Sequence, residues 1–415
     1  MKIYAPRLAL ALMLVLVLAA CGQPSNSAPS ALPVATDASS TAAAVSDPTS
    51  APTEPSAVPA VAGLLPTALL FISDENDIAR LEADGTTVVM VADDQDLIID
   101  FAVAPAGDVL AYLTIADGTR TTLVRTRTDR SEQTELARGV IRGVSVASDG
   151  SVQAGVLFNA TDAAGSALTP GVWSFPADGS APLLLVAATD PASDGENITP
   201  GVHYQPVAWS PDEGQLLLRS TMNMGPDGPS GDIGSTGLDL LDAGSGQMRI
   251  LLSLGVEPLC VVPVWGRDGT SILCANGAAI GPPTPPLWRL DLSSGEQQPL
   301  IPDGASLDQV LSPHELADGI YVFVAESATN LGQQFMPQRI ASDGTVSALL
   351  PRPLAAGYDG GLWAPDGSGV IVGQPAAGAN RTIVWQPLDI RQAGTAGVPI
   401  DLLSGSIGKL AWANR

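Results

Sequence analysis

The sequence is poor in positive charge. It has 19 Lys and Arg residues against 43 Asp and Glu residues, a formal net charge of −24, and only Lys2 and Lys409 are lysines. Proteins that bind nucleic acids use clustered Lys and Arg to displace the counterions of the phosphates. DNA and RNA are therefore not expected as partners. The acidic surface is interpreted as serving solubility, with a basic ligand or a divalent cation as the alternatives.

Residues that carry common catalytic and metal-binding chemistry are scarce too. Only His203 and His314 occur, and neither has a Cys at ligand spacing, so no metal site built on several histidines is expected. No nucleophile elbow and no Walker or dinucleotide-binding motif is present. The run from Asp93 to Asp96 is interpreted as a solvated loop, with calcium chelation as the alternative. We predict no catalytic residue, no metal and no cofactor.

The sequence also has few aromatic residues and few apolar residues at helical spacing. Aromatic residues make up 4% of the chain, whereas Gly (43) and Pro (35) are abundant. This composition is typical of many short strands joined by turns. The fold class expected from composition is all-β.

The start of the chain has the pattern of an export signal. Lys2 and Arg7 accompany an apolar run over residues 8–20, which is shorter than the roughly 20 apolar residues of a membrane-spanning helix. The sequence LAAC at residues 18–21 resembles the lipobox of bacterial lipoproteins. That resemblance implies cleavage after the signal peptide (1–20) and attachment of diacylglycerol to Cys21; an ordinary cleaved signal is the alternative.

Residues 21–63 are rich in Ser, Ala, Pro and Thr and have no Lys or Arg. Such a segment cannot bury enough apolar surface to order itself, so we predict a disordered tether that leads to a folded domain over residues 64–415. Setting Cys21 aside leaves Cys260 and Cys274, an even number in an oxidising compartment. A disulfide between them and two free thiols both remain open from the sequence.

A repeat occupies the folded domain. The segment VAWSPDEGQLLL (207–218) recurs in variant form, and each copy consists of an apolar strand, a turn with Gly and Asp, and a second apolar strand. A second hairpin follows most copies, and two hairpins make the four-stranded antiparallel blade of a β-propeller. The turn glycines, separated by 43 (Gly107 to Gly150) to 64 (Gly150 to Gly214) residues, are Gly107, Gly150, Gly214, Gly269, Gly319 and Gly367.

The two ends of the repeat region complement each other. The chain ends in IGKLAWANR, which has the pattern of a first strand, whereas the repeat region begins with ALLFIS, which has the pattern of a second strand. Pairing of residues 407–414 with residues 68–73 would close the ring and remove exposed sheet edges. We therefore predict a seven-bladed β-propeller of four-stranded antiparallel blades, closed by the C-terminal strand.

The segments AWSPDEGQLLL and LWAPDGSGVIV resemble the WD40-like Pro-Asp repeat of TolB-type periplasmic proteins and of the propellers fused to prolyl oligopeptidases. The resemblance covers most of residues 64–415 and implies a propeller. No N-terminal domain of the TolB kind and no hydrolase domain is expected beside it. Asp212 and Glu213 are interpreted as turn residues, because acidic turns recur from blade to blade and one active site does not need a carboxylate in each.

Long segments between strands are expected on one face of the propeller: 159–170, 187–204, 220–237 and 275–286. Long loops in a compact fold are often functional. Three of these segments lie around the third and fourth blades and predict a binding rim, with tolerated insertions as the alternative. The rim residues are Asp190, Asp194, Glu196, His203, Tyr204, Met222, Met224, Asp227 and Asp232.

These features together predict a lipid-anchored propeller on the extracytoplasmic side of a membrane, in the periplasm or at the cell surface. Its expected function is non-catalytic binding of a protein or of a cell-envelope component. One alternative is a carbohydrate- or peptide-processing enzyme whose acid/base carboxylates come from several blades. Another is a module that senses a small solute or an ion.

Overall fold

The computed structural model describes residues 63–413, with gaps at 117, 119, 194–197, 224–235, 257, 277–284, 302–308, 330–331, 357–360, 377–379 and 389–396. The predicted signal peptide, Cys21 and all but the last residue of the predicted tether lie outside the described residues. Within the described part of the chain, no helix is long and apolar enough to cross a membrane.

The described residues form 31 β-strands. The first eleven are β1 (Leu69–Ile72), β2 (Ile78–Leu81), β3 (Val88–Ala92), β4 (Leu97–Val103), β5 (Val109–Ile115), β6 (Thr121–Arg127), β7 (Thr134–Val146), β8 (Val152–Asp162), β9 (Ala167–Leu168), β10 (Gly171–Phe175) and β11 (Leu183–Ala187). The next ten are β12 (Ala192–Ser193), β13 (Ile198–Thr199), β14 (Gly201–Trp209), β15 (Gln215–Asn223), β16 (Thr236–Asp242), β17 (Met248–Leu252), β18 (Val262–Trp265), β19 (Ser271–Ala275), β20 (Leu287–Asp291) and β21 (Gln297–Pro299). The last ten are β22 (Val310–Leu316), β23 (Gly319–Thr329), β24 (Gly332–Ile340), β25 (Val346–Ala348), β26 (Leu354–Ala356), β27 (Gly361–Trp363), β28 (Gly369–Pro375), β29 (Arg381–Pro387), β30 (Ile400–Gly405) and β31 (Leu410–Trp412).

Five sheets have the strand order of a propeller blade. Their orders are β3-β2-β1-β31, β14-β15-β16-β17, β18-β19-β20-β21, β22-β23-β24-β25 with β26 beside β24, and β27-β28-β29-β30. Neighbouring strands in all of them are antiparallel. The predicted all-β propeller of four-stranded antiparallel blades is confirmed at this level.

The prediction of seven blades is wrong, because the described residues form five sheets that are separate blades. The strands assigned by sequence to the second and third blades make one eight-stranded sheet, in which β7 pairs with both β6 and β8. The link expected between those blades is instead a strand of 13 residues. It stays continuous because it absorbs three register shifts against β8, and Gly139 (φ 155°) and Gly143 (φ 68°) supply backbone angles that other residues avoid.

The predicted closure by the C-terminal strand is confirmed. Strand β31 pairs with β1, with Trp412 opposite Leu69 and Leu410 opposite Phe71. Beyond the paired residues, the Ala413 amide donates to the Ala68 carbonyl at 2.9 Å. The first sheet is therefore built from both ends of the repeat region, and β1 has no free edge on this side.

Tryptophans near the ends of four strands connect neighbouring sheets. Each donates its indole N–H to a carbonyl or amide oxygen in another strand, so that a buried or partly buried polar group is satisfied between sheets. The pairs are Trp209 with Gln153 Oε1 (2.8 Å), Trp265 with the Ala208 carbonyl (3.1 Å), Trp363 with the Ser312 carbonyl (2.7 Å) and Trp412 with the Trp363 carbonyl (2.6 Å).

The acidic turn of residues 210–215 has the contacts of a structural turn. The Asp212 carboxylate accepts from the Ser210 hydroxyl (2.6 Å) and the Gly214 amide (3.1 Å), and the Ser210 hydrogen bond lowers the pKa of Asp212. The residue with positive φ is Glu213 (55°) and not the turn glycine Gly214. The Glu213 carboxylate accepts from the amide and the hydroxyl of Ser148, which lies in the turn between β7 and β8.

Candidate functional site

Three neighbouring strands place polar side chains on one face of the eight-stranded sheet. Paired residues of antiparallel strands point to the same side, and alternate residues along a strand share a face. The two rows of paired residues are Thr114–Thr122–Arg138 and Tyr112–Val124–Glu135, from β5, β6 and β7. Glu135 and Arg138 share the face despite their odd spacing, because the β6–β7 register shifts there and Leu136 is the extra residue.

The segment between β3 and β4 passes this face and carries the acidic run Asp93–Asp96. The Asn76 side chain fixes the end of this segment. Its Nδ2 donates to the Asp96 backbone carbonyl, and its Oδ1 accepts from the Ile98 backbone amide, both at 3.0 Å. The Asp94 carboxylate accepts from the Tyr112 hydroxyl at 3.4 Å and from the Asp96 amide at 3.1 Å. These contacts hold the segment against the sheet.

A cavity of about 450 Å³ lies between this segment and the sheet face. Its volume is in the range of small-molecule sites, whose walls are usually mostly apolar. Here only Val124 is apolar. The lining residues are Asp94, Asp96, Thr114, Thr122, Val124, Gln133, Glu135 and Arg138.

The cavity is acidic. Its three carboxylates and one guanidinium, −3 and +1, give a formal charge of −2. Arg138 contacts Glu135 at 2.5 Å, and this hydrogen bond and charge, with a further contribution from Asp96, raise the pKa of Arg138. Glu135 is therefore paired with Arg138, whereas Asp94 and Asp96 supply the remaining negative charge of the lining.

Two buried hydroxyl groups border the acidic residues. Tyr112 is fully buried, and burial together with the Asp94 charge raises the pKa of its phenol, which keeps it protonated. The Tyr112 hydroxyl accepts a hydrogen bond from the side-chain amide of Gln133 at 2.8 Å. Thr114 lines the cavity with only 1% of its surface exposed. Its hydroxyl has no hydrogen-bond partner among the residues that the structure describes.

The calcium alternative for Asp93–Asp96 gains no support, because the carboxylates of the run diverge. Asp93 contacts Arg130 at 3.0 Å, whereas Asp94 turns to Tyr112. Within the described ranges, no three His, Cys, Asp or Glu side chains converge on a position that could hold a metal ion.

The predicted binding rim is described only in part. Asp194, Glu196, Met224, Asp227 and Asp232 lie outside the described residues. Met222 is on β15 and partly buried, and Asp190 is exposed. His203 and Tyr204 are consecutive on β14, so their side chains point to opposite faces of the sheet, and both are buried (9% and 7% exposed). The structure therefore does not bring these two residues together on one surface.

Tyr204 packs with Val172 and Leu218 in the core. Burial is the main cause that lowers the pKa of His203, and a hydrogen bond with Asn223 acts in the opposite direction. One of the long segments predicted as loops, residues 159–170, contains the end of β8 and the short strand β9. These two strands pair with each other, with Ala160 opposite Leu168. That segment is therefore a hairpin rather than an irregular loop.

Sequence reasoning missed a buried carboxylate, Asp239 on β16, which is 3% exposed. Burial raises its pKa, and a hydrogen bond from Ser220 acts in the opposite direction. A signal was available in the segment LDLLD (238–242), where Asp239 lies between leucines and shares a face with Leu241. Asp239 does not line the cavity.

The two sulfur atoms of Cys260 and Cys274 are joined by a disulfide bond. Cys274 lies on β19, opposite Pro263 of β18, and Cys260 lies two residues before β18 begins. Both residues are buried within the core that β15–β17 share with β19 and β20. The bond is therefore placed to hold the start of β18 to the interior of its blade.

Comparison with known proteins supports the fold and no more. No protein-family model matches the chain, and no curated protein is similar to it. A solved structure of a prolyl endopeptidase is 12% identical with a TM-score of 0.54, over 82% of this chain and 47% of that one. The tricorn protease is 10% identical with a TM-score of 0.51, over 81% of this chain and 34% of that one.

The structure of TolB from Acinetobacter baumannii is 13% identical with a TM-score of 0.49, over 85% of this chain and 68% of that one. At such low identities a structural likeness reports architecture, because one fold supports many unrelated functions. The function has to be argued from the site.

Proposed function

We propose that this protein is an exported, membrane-anchored lipoprotein whose β-propeller is a non-catalytic binding module. Its partner is a protein or a cell-envelope component, and the polar cavity between residues 93–96 and strands β5–β7 receives a small group of that partner. The observation that carries the proposal is the cavity, about 450 Å³ in volume and lined by hydrogen-bonding side chains. Thr114 supports it most directly, because it lines the cavity and its hydroxyl makes no hydrogen bond to another described residue, which leaves that hydroxyl to a group that enters the cavity.

The chemistry of the lining supports binding rather than catalysis. A general acid needs a carboxyl group whose pKa is raised by its surroundings. Burial raises the pKa of Asp77 and of Asp239, and neither residue lines the cavity. The lining residue Glu135 is engaged by Arg138, and Asp94 accepts from Tyr112. These carboxylates serve as fixed acceptors.

The proposed anchor rests on the lipobox-like sequence LAAC at residues 18–21. Cells fed radioactive palmitate are expected to label the wild-type protein and not the Cys21→Ser variant, because the thioether needs the Cys21 sulfur. The double variant Cys260→Ala/Cys274→Ala should retain the label, since those sulfurs already form a disulfide. Label on the Cys21→Ser protein, or none on the wild type, would refute the anchor.

The cavity is tested with a panel of small envelope-derived compounds and a thermal-shift readout on the full-length protein. A ligand that binds the folded state raises the melting temperature in a concentration-dependent way. We expect such a rise in the wild type and a smaller one in Thr114→Val, which keeps the side-chain shape and removes the hydroxyl. Without ligand, Thr114→Val should melt at the same temperature as the wild type or slightly higher, because it loses no hydrogen bond to a described residue.

Thr121→Val is the matched control. Thr121 is also buried on the same sheet, but its hydroxyl donates to the Gly139 carbonyl at 2.9 Å and does not line the cavity. That variant should melt at a lower temperature and keep the full ligand-induced shift. An equal shift in Thr114→Val and the wild type would remove the cavity from the proposal. Conversion of a panel compound to product would favour the enzyme alternative.

A further inference from the structure

We propose that the cavity selects a small organic cation, an aliphatic amine rather than an anion or a neutral sugar. This inference rests on the proposed binding function and adds the chemical class of the ligand. Its basis is the formal charge of −2 on the lining together with a set of exposed and buried oxygen acceptors. An alkylammonium group has N–H donors and no acceptor, so it matches such a lining.

The positive charge of the lining is already engaged. Arg138 contacts Glu135 at 2.5 Å, so the guanidinium and this carboxylate offset each other. Asp94 and Asp96 have no cationic side chain in contact among the residues described. Two carboxylates beside a cavity attract a cation more strongly there than in open solvent, because the protein wall lowers the local dielectric screening.

Neutral acceptors complete the site. The hydroxyl groups of Thr114 and Thr122 lie in one row of paired strand residues, beside the row that contains Glu135. Thr114 is 1% exposed and its hydroxyl has no described partner, so this group is available to an N–H donor of the ligand. The hydroxyl is independent of the acidic charge, and Thr114 is one of the residues that line the cavity.

The other ligand classes fit less well. An anion would meet three carboxylates and an arginine that is already paired. Sugars commonly stack on an aromatic ring, and the lining residues include none. A metal ion needs converging ligands, which the described residues do not provide. The amine is the class that uses both the charge and the hydroxyl groups.

The test is titration calorimetry with the full-length protein at low ionic strength, with putrescine as the probe. Butanediol and succinate have the same four-carbon chain with neutral and anionic ends, so they isolate the effect of charge. We expect putrescine to bind and the other two compounds not to bind. Raising the salt concentration should weaken binding, because the cavity is partly open to solvent and its charges are screened.

Two substitutions of opposite expected sign make the test specific. Asp96→Asn removes one negative charge and should weaken putrescine binding on the order of tenfold. Arg138→Gln removes the competing cation and frees Glu135, so it should strengthen binding by a few-fold. Arg138 is exposed, so its loss is not expected to affect folding. Asp94→Asn provides a second weakening variant if Asp96→Asn is poorly folded.

The failures of the two proposals are distinguishable. Absence of putrescine binding to the wild type, or a weaker affinity in Arg138→Gln, would overturn the cation assignment. If a neutral or anionic compound then bound in a manner sensitive to Thr114→Val, the cavity would remain a ligand site of a different class. If the compounds that bind were all insensitive to Thr114→Val, both the cation assignment and the cavity would be refuted.

Discussion

Trp412→Ala is expected to lower the free energy of unfolding by about 3–5 kcal/mol, the usual cost of truncating a buried Trp. Trp412 is 5% exposed and belongs to the core cluster formed by the first and last sheets. It pairs with Leu69 across β1 and β31, and its ring lies edge-on to Trp385 with 6.1 Å between ring centroids. The loss is large because the same side chain packs the core and closes the ring. Urea unfolding followed by tryptophan fluorescence measures it.

Trp412→Phe separates the two contributions. Phe retains most of the buried apolar surface and removes the indole N–H that donates to the Trp363 carbonyl. The expected loss is therefore only about 1–2 kcal/mol, the cost of one buried hydrogen bond and a small volume change. If Trp412→Ala unfolded at the same urea concentration as the wild type, the C-terminal strand would not be needed to close the propeller.

The double variant Cys260→Ala/Cys274→Ala is expected to lose about 3 kcal/mol of stability. The bond links residues 14 positions apart, so it restricts a short loop in the unfolded chain. Both residues are buried, 4% and 0% exposed, and the two alanines leave a small void that adds to the loss. Urea unfolding with and without a thiol reductant measures the effect.

The reductant provides the control for the disulfide. It should destabilise the wild type by nearly as much as the double substitution, and it should have no effect on the double variant. A wild-type protein whose unfolding midpoint did not respond to reductant, after complete reduction verified by mass spectrometry, would contradict the stabilising role of the bond.

Much of the blade architecture could be predicted because its signals are local. A strand–turn–strand unit is encoded within about 12 residues by alternating apolar positions and by turn residues such as Pro211 and Asp212. Closure by the C-terminal strand was also predictable, because each end of the repeat region carries part of a blade. These conclusions needed the order of the segments and not their distances in space.

The blade count failed for a physical reason. Strand β7 contains the β-branched residues Val140, Ile141 and Val144, which favour extended backbone, and glycines whose positive φ allows the bulges that keep β7 paired on both sides. A repeat pattern shows where blades begin, but it does not show whether the link between two blades becomes a strand. The pairing of β7 with β6 and β8 decided that.

The cavity was beyond sequence reasoning for a similar reason. The run Asp93–Asp96 was recognisable as acidic, but its partners Tyr112 and Arg130 come from other strands and turns. Glu135 and Arg138 face the same way only because of the bulge at Leu136. Spacing along the chain would place them on opposite faces of a regular strand. The predicted rim drew attention to loop length instead, which is only indirectly related to chemistry.

The proposed function places the ligand in the cavity beside Asp94 and Thr114. Hydrogen–deuterium exchange of the full-length protein tests it most directly, with and without a saturating compound from the thermal-shift panel. If the ligand binds in the cavity, exchange should slow in peptides covering residues 93–98 and 121–138 of the wild type, and the effect should be much smaller in Thr114→Val. Slower exchange confined to residues 187–204 and their neighbours would contradict it, because the ligand would then bind at the rim.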